Sequence, residues 1–430
     1  MESRKFLFVS YDGLIADIAW QVVKEGHEAR LWIQNPEESG IADGFVPKTN
    51  DWRKEVDWAD VVVFDDVLGM GALAEELRQA GKPVVGGSPY TDKLEDDRAF
   101  GQQELKAAGV SIISHENFTS FDEAVVYVQQ NPNRYVLKPS GEAQNIKRLL
   151  FVGEEDDGRD IIQVLQDYKR AWSDKVKEFQ LQRRIMGVEV AVGAFFNGKE
   201  FVTPVCINFE HKKLFPGDIG PPTGEMGTSM FWSEPNRLFN ATLKKMEAKL
   251  AEARYTGYID INCIVNNNGI YPLEFTSRFG YPAISIQQEG ILTPMGELLQ
   301  GLANGTTNRL RARSGFQIGV RIVVPPFPYN DPETLENTSK DSVILFKTPS
   351  REGYHIEDVR SANSEWLVTG TSGVVLIVCG AGPTMKQAQR QAYNRVRNVM
   401  IPHMYYRDDI GERWYEDSDR LHAWGYLREA

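Results

Sequence analysis

The run from Thr256 to Gly280 constrains this chain more than any other segment. Two stretches, Thr256–Val265 and Tyr271–Gly280, flank the turn Asn266-Asn267-Asn268-Gly269. Asn-Gly between β-branched and aromatic residues is a strong hairpin signal, because tight hairpin turns need residues that accept positive φ. A hairpin also fixes the direction of its side chains, since alternate residues of a strand share a face. Asp260 and Asn262 then lie on one face of the first strand, and Glu274 and Thr276 on one face of the second. Antiparallel pairing can bring these four oxygen-bearing side chains together, with Arg278 just beyond. Hard oxygen ligands beside a guanidinium suit a magnesium–phosphate group. A solvated strand face with a surface ion pair is the alternative.

The chain has 430 residues, which predicts roughly two to four domains. No apolar run is long enough to span a bilayer. Met1–Ser10 moves straight into a strand, without the apolar stretch and small-residue cleavage site of a signal peptide, so the cytoplasm is the expected location. A net charge of −12 argues against nucleic acid or an acidic membrane as partner, because phosphate-backbone affinity comes from clustered Lys and Arg. It leaves room for a small anion in a local basic pocket. Cys206, Cys263 and Cys379 sit far apart in apolar surroundings and are expected to be reduced and buried. The six histidines show no zinc-ligand spacing.

Residues 4–90 alternate strands (Phe6–Ser10, Glu28–Trp32, Val61–Phe64, Pro83–Gly87) with helices (Leu14–Glu25, Gly71–Ala80), which predicts a parallel, doubly wound sheet. Such sheets bind ligands at the carboxyl ends of their strands. Those ends offer Asp12, Asp65 and Asp66, which either line a crevice or cap the following helices. A helix is expected from about Thr91 to Ala108, with Thr91 or Asp92 as its cap, and another over Ser120–Gln130. Strands are expected at Tyr135–Pro139, Phe179–Gln182, Val188–Phe196 and Val202–Phe209, then a long Gly/Pro loop over 216–227 and a helix over Pro235–Glu252. A loop that long inside a compact domain is functional or mobile. A last unit carries strands Gln317–Val324, Val343–Lys347 and Val374–Val378 and the helix Thr384–Val399, with a break near Gly301–Arg311.

The order of these pieces resembles the ATP-grasp superfamily, and within it glycinamide ribonucleotide synthetase. The resemblance is carried by Gly86-Gly87-Ser88 through Phe100, by His211-Lys212-Lys213 followed by Asp218 to Gly227, by Glu274 to Gly280, and by Thr384 to Gly411. It implies an α/β (α+β) architecture: an N-terminal parallel-sheet domain (1–90), a two-lobed ATP-grasp domain (91–308, lid about 118–187) and a small C-terminal αβ domain (309–430). It implies an ADP-forming ligase that uses ATP with Mg2+, Mn2+ being an alternative, to turn a carboxylate (an amino acid is one option) into an acyl phosphate that an amine attacks. It further implies Lys138, Arg98 and Lys147 at the phosphates, Gln182 and Ile185 at the adenine, and Glu189 at the ribose. Glu274, Thr276, Asp260 and Asn262 would hold the metal. Arg278, Lys138 and Asp218 would act at the reacting groups. His211, Lys212, Asp218, Gly220, Thr223, Gly224, Asp12, Asp65 and Asp66 would surround the substrates. A monomer or small homo-oligomer is expected.

The chain departs from that family in functional places. The first loop, Ser10-Tyr11-Asp12-Gly13-Leu14-Ile15-Ala16, lacks the glycine nest that would cradle a phosphate and carries an acid instead. Phe64-Asp65-Asp66 replaces Gly-Pro-Glu, and Ser140-Gly141-Glu142-Ala143-Gln144-Asn145-Ile146-Lys147-Arg148 replaces a Gly-Lys-Gly lid. Gln182-Arg183-Arg184 stands in for two acids and an aromatic. Thr276 takes the place of an Asn, while Asp260 adds an acid. Three readings follow: a ligase with an altered amine, a catalytically silent nucleotide-binding relative, and an ordinary phosphoribosylamine–glycine ligase with unusual loops.

Overall fold

The computed structural model describes residues 3–67, 69–141, 143, 146 and 149–427. The N-terminal unit is a four-stranded sheet of β1 (Lys5–Ser10), β2 (Glu28–Ile33), β3 (Val61–Phe64) and β4 (Val84–Val85), all parallel in the order β2-β1-β3-β4. Alternation along β1 sends Phe6 and Phe8 into one apolar cluster and Leu7 and Val9 into another. Burial of both faces is the signature of a sheet covered on two sides.

The second sheet comprises β5 (His115–Phe118), β6 (Tyr135–Pro139), β7 (Phe151–Val152) and β8 (Phe179–Arg183), in the order β5-β8-β6-β7. Helices Phe121–Gln130 and Arg159–Ala171 cover one face, where Phe121, Val128, Ile161 and Leu165 meet Tyr135, Leu137, Phe179 and Leu181. Lys138 pairs in register with Gln180, and Val136 with Gln182, so Lys138, Gln180 and Gln182 occupy the other face.

The largest sheet begins with β9 (Val188–Asn197), β10 (Val205–Phe215), β11 (Ile219–Ser233), β12 (Thr256–Asn266), β13 (Gly269–Thr276) and β14 (Phe316–Val323). The C-terminal strands are β15 (Val343–Phe346), β16 (Tyr354–Ile356), β17 (Val359–Ala362), β18 (Glu365–Val368), β19 (Val374–Gly382) and β20 (Val399–Met400). The large sheet runs β13-β12-β9-β10-β11-β14-β19-β16, and the remaining four strands form the order β17-β18-β15-β20. It continues unbroken across residue 308, because β14 pairs with both β11 and β19.

Three expected elements differ from those observed. The stretch 216–227 is not a long loop: after the short turn Pro216–Asp218 it enters β11, which extends the hairpin with β10 through register shifts at His211/Lys213 and Lys213/Phe215. Its prolines sit where the irregular pairing demands no ladder donor from them. The helix over 91–108 is two helices, Pro89–Asp96 and Arg98–Ala107. Ser88, not Thr91 or Asp92, caps the first in a reciprocal pair with Thr91, while Asp97 is extended and caps the second. The helix over Pro235–Glu252 is broken at Thr242 into Arg237–Ala241, a 3₁₀ turn over Leu243–Met246, and Glu247–Glu252. Among the described residues no helix is long and apolar enough to cross a membrane.

Candidate active site

The β12–β13 hairpin forms with the expected facing: Asp260 pairs with Thr276 and Asn262 with Glu274. On the neighbouring strand β9, Gly193 lies opposite Asp260 and Ala191 opposite Asn262. Small residues are required there. A Cβ on Gly193 would stand 2.0 Å from the Tyr258 hydroxyl and 2.7 Å from Asp260 Cβ. Ala191 in turn faces Asn208 of β10, so one floor carries Thr276, Asp260, Glu274, Asn262 and Asn208. Both amide atoms of Asn208 and Oδ1 of Asp260 are buried without a partner among the described residues. Unpaired buried polar atoms cost about 1–3 kcal/mol each unless a ligand or water satisfies them. Burial, reinforced by the Glu210 charge, pushes the Asp260 carboxyl well above the usual carboxylate range.

Lys212 projects onto this floor. Its Nζ lies 2.9 Å from Glu189, 3.3 Å from Glu210 and 4.0 Å from Glu274. Burial opposes its charge, but the carboxylates of Glu210, Glu189 and Glu274 outweigh that and hold it well above the ordinary lysine value. Glu210 also accepts from Asn262 Nδ2 at 3.4 Å. The sequence reading missed Glu210, although the period-two rule that placed Asn262 would have put it on Lys212's face.

Across the cleft, Lys138 on β6 is only 9% exposed. Burial, then the adjacent Arg98 guanidinium, push its ammonium down to about 8. Arg98 donates to the Pro139 carbonyl at 3.5 Å. Gln180 and Gln182 are buried beside Lys138, and Ile185 is half-buried in the connection to β9. Lys147 lies outside the described residues. Arg278 forms an ion pair with Glu95 at 2.9 Å. Burial opposes the Arg278 charge, but Glu95 outweighs it and raises the pKa.

The N-terminal acids do not cap helices. Asp12 accepts from Asn35 Nδ2 at 2.9 Å. Asp65 accepts from Ser10 Oγ, from Tyr11 N at 3.2 Å and from Val67 N at 3.2 Å. Asp66 accepts from Gly87 N, at a positive φ of 54°. The N-cap positions of the following helices are Ile15 and Met70, neither of which makes a side-chain cap bond. Burial lifts Asp65 to about 6 against the opposing Ser10 hydrogen bond. Burial and Asp92 push Asp66 well higher. Tyr281, whose buried hydroxyl has no partner among the described residues, feels the charges of Asp65 and Arg278.

His211 and Asp218 stand elsewhere. His211 follows Glu210 on the strand and faces the other way. Burial, then Arg413 and Arg407, push its imidazole down to about 4, so it is neutral. Asp218 is bonded by the buried Arg407 at 2.9 Å, and Arg407 also clasps Asp409 at 2.6 Å. Thr223 Oγ1 donates to the Lys212 carbonyl at 2.9 Å. Gly220, at φ +89°, sits against Phe215, and Gly224 lies beside Arg321. Arg321 pairs with Glu357 at 2.9 Å and donates to the Glu225 carbonyl at 2.8 Å. This buried trio was not anticipated, because its members come from three distant parts of the chain.

The residues present fit a magnesium nucleotide. Lys138 and Arg98 crowd two cations at the mouth of a buried face, and a polyphosphate relieves that repulsion. Among the described residues no three His, Cys, Asp or Glu side chains form a ready metal cage. Mg2+ bound with a nucleotide does not need one, since it takes one or two carboxylates plus phosphate oxygens and waters. Glu274, opposite Asn262, supplies that kind of donor.

A small antiparallel sheet carrying a buried lysine, facing a larger antiparallel sheet with a carboxylate–amide floor, together with a parallel N-terminal sheet, fits the ATP-grasp class. The comparisons agree. Residues 96–284 match the family of the phosphoribosylglycinamide synthetase ATP-grasp (A) domain, and residues 332–413 that of its C domain, together more than half of the chain. The chain belongs to the ATP-grasp superfamily and is of the phosphoribosylglycinamide synthetase type, an ADP-forming carbon–nitrogen ligase class that uses ATP and Mg2+. It is 24% identical to the phosphoribosylamine–glycine ligase of Halalkalibacterium halodurans over 95% of this chain and 96% of the relative. It is 26% identical to that of Streptococcus pneumoniae over 85% of each. The crystal structure of phosphoribosylamine–glycine ligase from Thermotoga maritima superposes with a TM-score of 0.68 at 20% identity, covering 94% of this chain and all of that one. The biotin carboxylase domain of Hydrogenobacter thermophilus 2-oxoglutarate carboxylase, solved with MgADP and bicarbonate, gives 0.63 at 13% identity, covering all of both chains.

Proposed function

We propose that the chain is a carboxylate–amine ligase, acting in the cytoplasm as a monomer or small homo-oligomer, whose amine differs from phosphoribosylamine. The observation that carries this is the buried pair Asp65 and Asp66 at the carboxyl end of β3, where Asp65 is bonded by Ser10 at the end of the neighbouring β1. Asp65, at about 6, is ionised at neutral pH and matches an ammonium group. Asp66, whose carboxyl burial and the Asp92 charge push well above the usual range, has Oδ1 buried without a partner among the described residues, which suits a hydroxyl-bearing amine. A phosphate placed there would meet an anion.

In this reading a carboxylate oxygen attacks the γ-phosphorus and ADP leaves. The amine nitrogen then attacks the acyl carbon, phosphate leaves, and the nitrogen loses its proton as the amide forms. Lys138 and Arg98 orient and neutralise the phosphoryl oxygens. Glu274 and Asn262, with Asp260 and Thr276 one step along the hairpin, would hold Mg2+, which when bound supplies further charge neutralisation. Gln182, Ile185 and Glu189 flank the nucleoside. Lys212, positioned by Glu210, faces the carboxylate substrate, and the hairpin from Asp218 to Gly224 walls that side with Arg278 opposite. The domain limits expected at 90 and 308 remain the proposed division of labour. Replacing Glu274 by Gln should raise the Mg2+ concentration for half-maximal turnover by about tenfold or more; an unchanged magnesium dependence assigns the metal elsewhere.

A second reading, phosphoribosylamine itself as the amine, is favoured by similarity to curated ligases over nearly the whole chain. Incubation with ATP, Mg2+ and pools of amino acids and amines, read by ADP release and product mass, separates the two. Product only with cationic or hydroxylated amines supports the altered ligase. Product from glycine and phosphoribosylamine supports the second reading. Nucleotide binding without ADP release in any pool identifies a silent relative and overturns both.

A further inference from the structure

A groove of about 590 Å³ lies on the C-terminal unit between the helix Met385–Val396 and the segment 347–354. No residue of the candidate active site lines it. Its size falls within the roughly 300–1,000 Å³ of small-molecule sites. Its walls carry Lys347, Arg390, Arg395 and Arg397 against a single carboxylate, Glu352. We propose that this groove binds a small organic phosphate.

The charges on its walls are poorly matched by protein. Arg395 is paired, to Glu352 at 2.9 Å and Glu289 at 3.4 Å. The other three have no carboxylate at ion-pair distance among the described residues. Lys347 Nζ donates to the Arg397 carbonyl at 2.5 Å, and Arg397 Nη2 donates to the Asn394 amide oxygen at 2.7 Å. Arg390 is exposed and has no partner among the described residues. Cations in the last turn of a helix complement its dipole, which accounts for Arg395 and for the cap from Lys347. That leaves Arg390, upstream of the last turn, and the Arg397 guanidinium unexplained. Three cations without a carboxylate partner among the described residues, in one concavity on a chain of net charge −12, make a local anion site, because the concave wall focuses their field.

A second observation narrows the ligand. Asn398 Nδ2 donates to the Tyr354 hydroxyl at 2.9 Å, and that hydroxyl donates to the Arg395 carbonyl at 2.9 Å. This relay fixes the amide and leaves Asn398 Oδ1 as a buried acceptor without a partner among the described residues. A ligand that also carries a hydroxyl or amino donor beside its phosphate can satisfy that acceptor. Arginine forks read the phosphate oxygens, and Asn398 reads the donor.

Titration calorimetry with glycerol 3-phosphate and with inorganic phosphate, at low ionic strength, tests this on the whole protein. Wild type should bind both. The double variant Arg390→Ala/Arg397→Ala should weaken both by about tenfold or more, the loss expected for charge-assisted contacts. Its melting temperature should be unchanged, because both side chains are exposed. Asn398→Ala should weaken glycerol 3-phosphate and leave inorganic phosphate unaffected. Equal affinity in the double variant, or no binding of either probe by wild type at millimolar concentration, overturns the proposal.

Discussion

Lys138→Gln is expected to lower ATP-dependent turnover by about 10²–10³-fold, the cost of removing one preorganised charge from a developing phosphoryl centre, and at the same time to stabilise the ligand-free protein. Both effects come from one fact. The ammonium is buried beside Arg98, and its pKa falls from 10.5 to about 8. Holding it charged in the fold costs about 3 kcal/mol at neutral pH. That penalty is fully present below pH 8, where folded and unfolded states are both protonated. Between pH 8 and 10.5 the unfolded chain binds more protons than the folded one, so stability of the ligand-free protein rises with pH across that window. Glutamine removes the penalty and flattens the rise. The same titration weakens nucleotide binding above pH 8 as the ammonium loses its proton. Chemical denaturation at pH 7 and pH 10, together with ATP affinity over the same range, checks the prediction. A variant with less stability at pH 7, or one with unchanged turnover, sinks it.

The second large effect concerns Arg407, whose guanidinium is 1% exposed. It donates to Asp409 twice, at 2.8 and 2.6 Å, to the Lys213 carbonyl at 2.9 Å and to Asp218 at 2.9 Å. Arg407→Met should destabilise the protein by about 1–3 kcal/mol, because the Lys213 carbonyl and the largely buried Asp409 lose their charged donor, Asp409 keeping only its bond from Gly217 N. Asp218→Asn touches the same pair from its exposed end, where the side chain is 51% exposed. It should cost less than about 1 kcal/mol. Denaturation midpoints of the two variants give the comparison. Equal losses would mean that the pair acts as an isolated surface bridge and not as the clasp that ties the hairpin tip to the C-terminal segment. The contrast also bears on Asp218: a catalytic role for it predicts lost turnover in Asp218→Asn without lost stability.

How much of this was legible in the chain differs from element to element. The parallel N-terminal sheet and the β12–β13 hairpin were, because strand alternation and an Asn-rich turn act over a few residues, although the turn itself is Asn267-Asn268 and Gly269 already pairs with Asn266. The Thr384 cap was legible for the same reason: its side chain accepts from Gln387 N, three residues on. The hairpin over 205–233 was not. Its glycines and prolines read locally as a loop, whereas pairing with β10 and β14 supplies the hydrogen bonds that make it a strand. The split of the helix at Asp97 was hidden likewise. Nothing in the helical pattern of 91–108 marks the extended residue that lets Arg98 begin a second helix beside Pro139.

For the site, the sequence by itself determined which chemical groups were available and which neighbours shared a strand face: Asp260 with Asn262, Glu274 with Thr276. Tertiary structure alone decided which of them meet. It set Lys212 among Glu189, Glu210 and Glu274, separated His211 from Lys212, tied Asp218 to Arg407, and buried Asp65 and Asp66 until their acidity changed. The reason is range. Side-chain direction along a strand is set by the backbone within two residues, whereas pKa and partnership depend on burial and on charges delivered from other segments, up to 189 residues away for Asp218 and Arg407.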